Sequence, residues 1–121
     1  MKHDDRLIVA LDFPTFEQAK ACVLELGEAV SYYKVGMELY YAVGSEIITF
    51  LKAQGKHVFL DLKLQDIPNT VAHGVESLSK LGVDMLTIHA SGGMKMMSAA
   101  TTYNNPKTKL LAVTHLTSSS Q

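Results

Sequence analysis

Cysteine is almost absent from this sequence: Cys22 is the single one in 121 residues, so no disulfide can form within the chain. A lone cysteine is more often a small buried hydrophobic residue than a reactive thiol. An excess of charge is also missing, since the formal net charge is −1 and Lys and Arg are scattered along the chain. The absence of a basic stripe argues against nucleic acid or an anionic membrane as a partner.

Long hydrophobic runs are missing as well. No apolar stretch reaches the about 20 residues that a membrane-spanning helix needs. The charged start MKHDDR leads into an apolar run that is shorter than the hydrophobic region of a signal peptide, with no cleavage site after it. No linker or low-complexity segment divides the chain, and 47% hydrophobic residues are enough for a core. These features predict one cytoplasmic domain over residues 1–121.

The sequence does contain a regular series of apolar runs. Five strand-like segments begin near Leu7 (LIVALD), Tyr32 (YYKVGMEL), His57 (HVFLDLKL), Met85 (MLTIHA) and Leu110 (LLAVTHLT), at intervals of 25 to 28 residues. Strands this rich in aliphatic residues are typical of a sheet that is buried on both faces, as in parallel arrangements.

Helical patterns with recognisable end signals separate these runs. Pro14 precedes the first pattern, Ser45 is a candidate N-cap for the second, and Pro68 opens a third that ends at Gly82. A fourth pattern covers residues 94–103. The order is therefore a strand and a helix repeated four times, followed by a fifth strand.

Units of about 25 residues are the spacing of a (β/α)8 barrel, which needs about 250 residues in total. We therefore predict an α/β fold, a (β/α)8 TIM barrel of which this chain supplies about the first five strands and four helices. A five-stranded arc would leave two apolar edges unpaired, so we expect residues 1–121 to be the N-terminal part of an incomplete barrel. A complete, doubly wound open sheet is the structural alternative.

Charged residues lie where the predicted strands end, and barrel enzymes carry their functional residues at those ends. The charges are Asp12, Lys34, Asp61, Lys63 and Asp66. Asp61 and Lys63 are two residues apart on one strand, so the pattern predicts that they share a face. Because buried charges are costly unless they are paired, we expect a network of alternating sign around one cavity. For any single aspartate, an ordinary solvated loop position is the alternative interpretation.

Such a network suits the replacement of a substrate carboxylate by a proton. A lysine held between carboxylates keeps its proton, which makes it a poor Schiff-base nucleophile and a good proton donor to a carbanion. The ammonium group can also stabilise the developing carbanion electrostatically. Repulsion between a carboxylate of the protein and that of the substrate is a second, contested contribution.

The segment "DLKLQDIPNTV" (61–71) closely resembles the signature of the orotidine 5′-phosphate decarboxylases. Four more segments look like this family's bacterial members, in the same order and at matching spacing. They are "IVALDF" (8–13), "YKVGMELYY" (33–41), "LGVDMLTIHASGGMKMM" (81–97) and "LLAVTHLTS" (110–118). The resemblance implies decarboxylation of orotidine 5′-monophosphate to UMP, the last step of de novo pyrimidine synthesis, without metal or cofactor.

The resemblance also implies individual roles for residues of this sequence. Lys63 would protonate the carbon that loses CO2, and Asp61 would lie against the substrate carboxylate. Lys34 would bind the ribose and join the charge network, and Asp12 would bind the ribose or base region.

Further implied roles concern a second subunit and the pyrimidine. Asp66, Ile67 and Thr70 would reach into the neighbouring site of a homodimer, with Asp66 part of the catalytic network. Thr117 and Ser118 would contact the pyrimidine. The phosphate-binding loop and arginine of the family belong with strands six to eight, so we expect these 121 residues alone to be inactive.

Three alternatives remain at this point. Sugar-phosphate decarboxylases and hexulose-phosphate synthases share an Asp-x-Lys-x-x-Asp pattern and use magnesium, although "IPNT" and "LTS" argue against them. A metal-dependent sugar-phosphate epimerase needs converging His and Asp ligands, and a lone strand-end histidine such as His89 is more often hydrogen-bonded structure. The third alternative is a non-catalytic half-barrel that associates with a partner chain.

Overall fold

The computed structural model describes residues 7–64, 68–89 and 107–113. Within them the chain forms an α/β structure with a five-stranded sheet in the order β1-β2-β3-β4-β5. The elements are β1 (Val9–Ala10), α1 (Phe16–Leu26), β2 (Tyr32–Gly36), α2 (Met37–Val43), α3 (Glu46–Ala53), β3 (His57–Leu64), α4 (Pro68–Ser79), β4 (Met85–His89) and β5 (Lys109–Val113).

The strand order distinguishes the two folds that the sequence left open. The pairs β1–β2, β2–β3 and β4–β5 are all parallel. The spatial order follows the chain order without the reversal that defines a doubly wound sheet. This is the order in which a (β/α)8 barrel adds its strands. The chain divides within β3 into two compact units, Met1–Asp61 and Leu62–Gln121.

In the first unit, α1 begins and ends at residues that the sequence marks clearly. The Thr15 side chain caps the helix by accepting a hydrogen bond from the Gln18 backbone N–H at 3.2 Å. At the other end Gly27 has a φ of 54°, a left-handed conformation that favours glycine. Ala19 and Val23 are buried, which anchors one face of the helix.

The connection between β2 and β3 contains two helices where the sequence predicted one. We expected the strand to continue beyond Gly36, but residues Met37–Val43 form α2, whose Leu39 is buried. The Gly44 N–H then donates to the Tyr40 carbonyl at 2.7 Å and ends this helix. A short apolar run does not distinguish strand from helix by its periodicity, which explains the wrong boundary.

Alternate residues of β2 and β3 form part of the core of the first unit. Tyr33 and Val35 are fully buried, as are Val58 and Leu60 on the neighbouring strand. The Tyr33 hydroxyl has no hydrogen-bond partner among the described residues. Burial raises the pKa of this hydroxyl above its ordinary value, with a smaller contribution from Cys22.

Among the residues of the second unit that the structure describes, α4 and β4 supply most of the core. Ala72, Val75 and Leu78 are buried at three-residue spacing, the pattern of an amphipathic helix. β4 and β5 pair from Met85↔Lys109 to His89↔Val113. Just before these strands, the buried Thr108 hydroxyl donates to the Val83 carbonyl at 2.7 Å.

The remaining predicted elements have mixed outcomes. β3 covers the predicted run HVFLDLKL, whereas β1 is limited to Val9–Ala10. The predicted helix over 94–103 and the part of the fifth run after residue 113 lie outside the described residues. In the portion that the structure describes, no helix has both the length and the apolar character needed to span a membrane.

Candidate active site

In the first unit, the ends of β1, β2 and β3 present charged residues on one face of the sheet. Paired residues of parallel strands point to the same side, and the register pairs Ala10 with Lys34 and Gly36 with Asp61. Tyr33 and Val35 occupy the opposite, fully buried face of β2. Lys34 and Asp61 are half-buried and therefore share the more open face.

Asp12 follows the same alternation at the end of β1. The Leu11 N–H donates to the Lys34 carbonyl at 2.9 Å, so the β1–β2 ladder continues one residue beyond the strand. Leu11 itself is fully buried, and the next residue, Asp12, is exposed. This alternation places Asp12 on the open face with Lys34 and Asp61, a set of two carboxylates and one ammonium group.

The face beside Asp61 is open above Gly36, a residue that the sequence pattern did not single out. It is the register partner of Asp61 and the last residue of β2. A Cβ built on Gly36 would meet no heavy atom within 4 Å, so the space above it is empty of protein among the described residues. The available signal was a glycine ending an apolar strand that carries a lysine two residues earlier.

In the second unit, Lys63 has an unusual backbone conformation. Its φ is 51°, whereas a regular strand has strongly negative φ values. The Lys63 N–H donates to the Thr87 hydroxyl oxygen at 2.8 Å, and Thr87 is 3% exposed. The prediction that Asp61 and Lys63 share a face assumed a regular strand, and it stays a prediction.

The structure describes only some of the other predicted site residues. Thr70 is exposed in the first turn of α4, and His89 is half-buried at the end of β4. The remaining predicted residues, Asp66, Ile67, Thr117 and Ser118, lie outside the described residues. Where the structure describes the chain, no group of three or more His, Cys, Asp and Glu residues could hold a metal ion.

This arrangement of charges is typical of one class of proteins, the barrel enzymes. Acidic and basic side chains gather at the carboxyl ends of parallel strands in an α/β protein, which is where barrel enzymes place their catalytic groups. Fixed charges at such a position can stabilise charge that develops on a bound substrate.

The comparison with family models then identifies the particular group. The model of the orotidine 5′-phosphate decarboxylase / HUMPS family matches residues 5–121, and the chain belongs to this family. Several curated relatives are orotidine 5′-phosphate decarboxylases from Streptococcus pneumoniae strains, including CGSP14 and G54. They are 55% identical over 119 residues, which is 98% of this chain and 51% of each relative. The chain therefore spans about half the length of these relatives.

Solved structures agree with this assignment. Orotidine 5′-phosphate decarboxylase from Lactobacillus acidophilus matches with a TM-score of 0.84 and 44% identity, over 95% of this chain and 55% of that chain. The enzyme of the same name from Pyrococcus horikoshii OT3 matches with a TM-score of 0.75 and 28% identity, over 88% of this chain and 50% of that chain. These relatives are (β/α)8 barrels, so the predicted fold class is confirmed, with this chain matching about half of each barrel.

Proposed function

We propose that the protein carrying this sequence decarboxylates orotidine 5′-monophosphate to UMP in de novo pyrimidine synthesis, without metal or cofactor. The observation that carries the proposal is the shared open face of Asp12, Lys34 and Asp61 at the strand ends, next to a space over Gly36 that no described residue fills. Relatives with 55% identity bear the name of this activity.

The proposed chemistry needs one proton donor and the electric field of charged side chains held in fixed positions. Loss of CO2 breaks the bond between the pyrimidine ring and its carboxylate, and the electron pair stays on the ring carbon. Lys63 stabilises this carbanion and then donates its proton to the same carbon. Asp61 lies against the departing carboxylate and Lys34 binds the ribose within the charge network.

Other groups complete the proposed site. Asp12 binds the ribose or base region, and Thr117 and Ser118 contact the pyrimidine. Asp66, Ile67 and Thr70 reach the active site of the second subunit in a homodimer, with Asp66 in the charge network. These residue roles are supported by the family resemblance, as is the expected cytoplasmic location.

The experiment is a spectrophotometric assay of orotidine 5′-monophosphate consumption with the full-length protein. Lys63→Ala should lower kcat at least about 100-fold, because a positioned general acid contributes about 10²- to 10⁴-fold. The matched control is Lys80→Ala, since Lys80 is an exposed lysine directly after α4 whose Nζ lies 3.9 Å from a Glu76 carboxylate oxygen. That control should keep wild-type kcat, and both variants should keep the wild-type far-UV circular dichroism.

One outcome would overturn the assignment of the proton donor, and another would overturn the proposed activity. Wild-type turnover by Lys63→Ala would remove Lys63 as the proton donor. A folded wild-type protein that does not consume orotidine 5′-monophosphate but acts on a hexulose phosphate with Mg2+ would favour a hexulose-phosphate synthase, one of the alternatives that the sequence left open.

A further inference from the structure

Lys63 adopts a backbone conformation that is unfavourable for residues with a Cβ atom. Among the described residues, it is the one residue other than glycine with a positive φ, at 51°. A side chain with a Cβ is crowded in this region, so such residues persist only where their surroundings hold them. The neighbouring contacts of Lys63 should therefore include a group that stabilises this conformation.

The Thr87 hydroxyl is such a group. Thr87 lies in the middle of β4 and is 3% exposed, and its oxygen accepts the Lys63 N–H at 2.8 Å. A regular parallel ladder would direct this N–H to a backbone carbonyl. Threonine is branched at Cβ and therefore stiff at its first side-chain torsion, which holds the accepting oxygen in one place.

We propose that Thr87 is a positioning residue for the proton donor of this enzyme. By binding the Lys63 N–H, its hydroxyl holds the left-handed backbone and so fixes where the lysine side chain begins. This inference rests on the proposed function, because it assigns Thr87 a task only if Lys63 delivers the proton. A misplacement of about 1 Å in a catalytic group can cost about 100-fold in rate.

The test compares variants of the full-length protein in the orotidine 5′-monophosphate assay. Thr87→Val replaces the hydroxyl by a methyl group of similar size, and Thr87→Ala removes it with no added bulk. Both should lower kcat about 10- to 100-fold while KM stays within about threefold. Thr87→Ser keeps the accepting oxygen and should retain kcat within about threefold.

The matched control is Thr108→Val in the same unit. Thr108 is also 3% exposed, and its hydroxyl donates to the Val83 carbonyl at 2.7 Å. Its removal should lower the melting temperature without lowering kcat, because this hydrogen bond does not involve Lys63. The contrast separates loss of positioning from loss of stability.

The outcomes separate this inference from the proposed function. Inactive Lys63→Ala together with wild-type kcat in Thr87→Val or Thr87→Ala would overturn the positioning role alone. Equal losses of kcat in the Thr87 and Thr108 variants, or a Thr87→Ser variant as slow as Thr87→Ala, would overturn it too. Wild-type turnover by Lys63→Ala would overturn the role of Lys63 and, with it, the positioning role of Thr87. A folded wild-type protein that does not consume orotidine 5′-monophosphate would instead overturn the proposed function.

Discussion

The positive φ of Lys63 has a consequence for stability that can be separated from catalysis. Glycine adopts left-handed conformations without a Cβ penalty, whereas alanine is crowded there. We expect Lys63→Gly to have a free energy of unfolding about 1 kcal/mol higher than that of Lys63→Ala. Urea unfolding of the full-length protein measures this difference.

Lys109 supplies the control for that comparison. It is an exposed residue of β5 without a positive φ. There glycine should be less stable than alanine by about 0.5–1 kcal/mol, because glycine loses more conformational freedom on folding. An alanine variant as stable as the glycine variant at position 63 would show that the left-handed conformation is not strained.

Some residues of the candidate site could be predicted from the sequence, and others could not. Asp61 and Lys63 could be singled out because charged residues at the end of an apolar strand are unusual. Thr87 and Gly36 could not, since their roles come from what lies opposite them: a backbone N–H at 2.8 Å and the register partner Asp61. Contacts between residues more than twenty positions apart leave no local pattern in a single sequence.

Element boundaries were predictable where alternation and end signals agreed. β3 was predicted correctly as a run rich in aliphatic residues, and in the structure its buried residues alternate with more exposed ones over most of eight positions. The two helices between β2 and β3 were predicted as one, because Met37–Val43 is too short for a helical period to stand out. Tertiary burial of Leu39 then favours the helix.

The side chain of Lys56, the residue before β3, connects that strand to the chain that follows α1. The Lys56 ammonium donates to the Gly27 carbonyl at 2.7 Å and to the Val30 carbonyl at 2.8 Å, where the chain leaves α1 and its following 3-10 turn. A cation at the carbonyl end of a helix is favourable. Lys56→Met keeps most of the aliphatic stem and should lower the free energy of unfolding by about 2 kcal/mol, since hydrogen bonds to charged groups contribute about 1.5–3 kcal/mol.

Lys80→Met is the matched control for this prediction. The Lys80 ammonium lies 3.9 Å from a Glu76 carboxylate oxygen, and Lys80 is an exposed residue directly after α4. Such surface pairs contribute about 0–1 kcal/mol, so this variant should stay within about 0.5 kcal/mol of the wild type. Equal losses in the two variants during urea unfolding would mean that the two carbonyl contacts of Lys56 add no stability.

At the scale of the whole molecule, the chain matches about half of each relative's length. The resemblance assigns the phosphate-binding groups to strands six to eight, and binding energy from remote parts of a substrate is used to lower the barrier at the reacting centre. We therefore expect a polypeptide limited to these 121 residues to show no measurable orotidine 5′-monophosphate decarboxylation. Co-expression with the part of the Streptococcus pneumoniae relative that this chain does not match should restore part of the activity, because strand edges favour pairing with further strands.

The same co-expression with Lys63→Ala in the 121-residue chain distinguishes true complementation from contamination. If the restored activity arises from this chain, the variant should abolish it, because the proton donor is then supplied by these residues and not by the added half. Turnover by the 121-residue polypeptide alone would contradict the prediction. It would show that strands one to five contain all the groups that the reaction requires, and the phosphate group would then contribute little to catalysis.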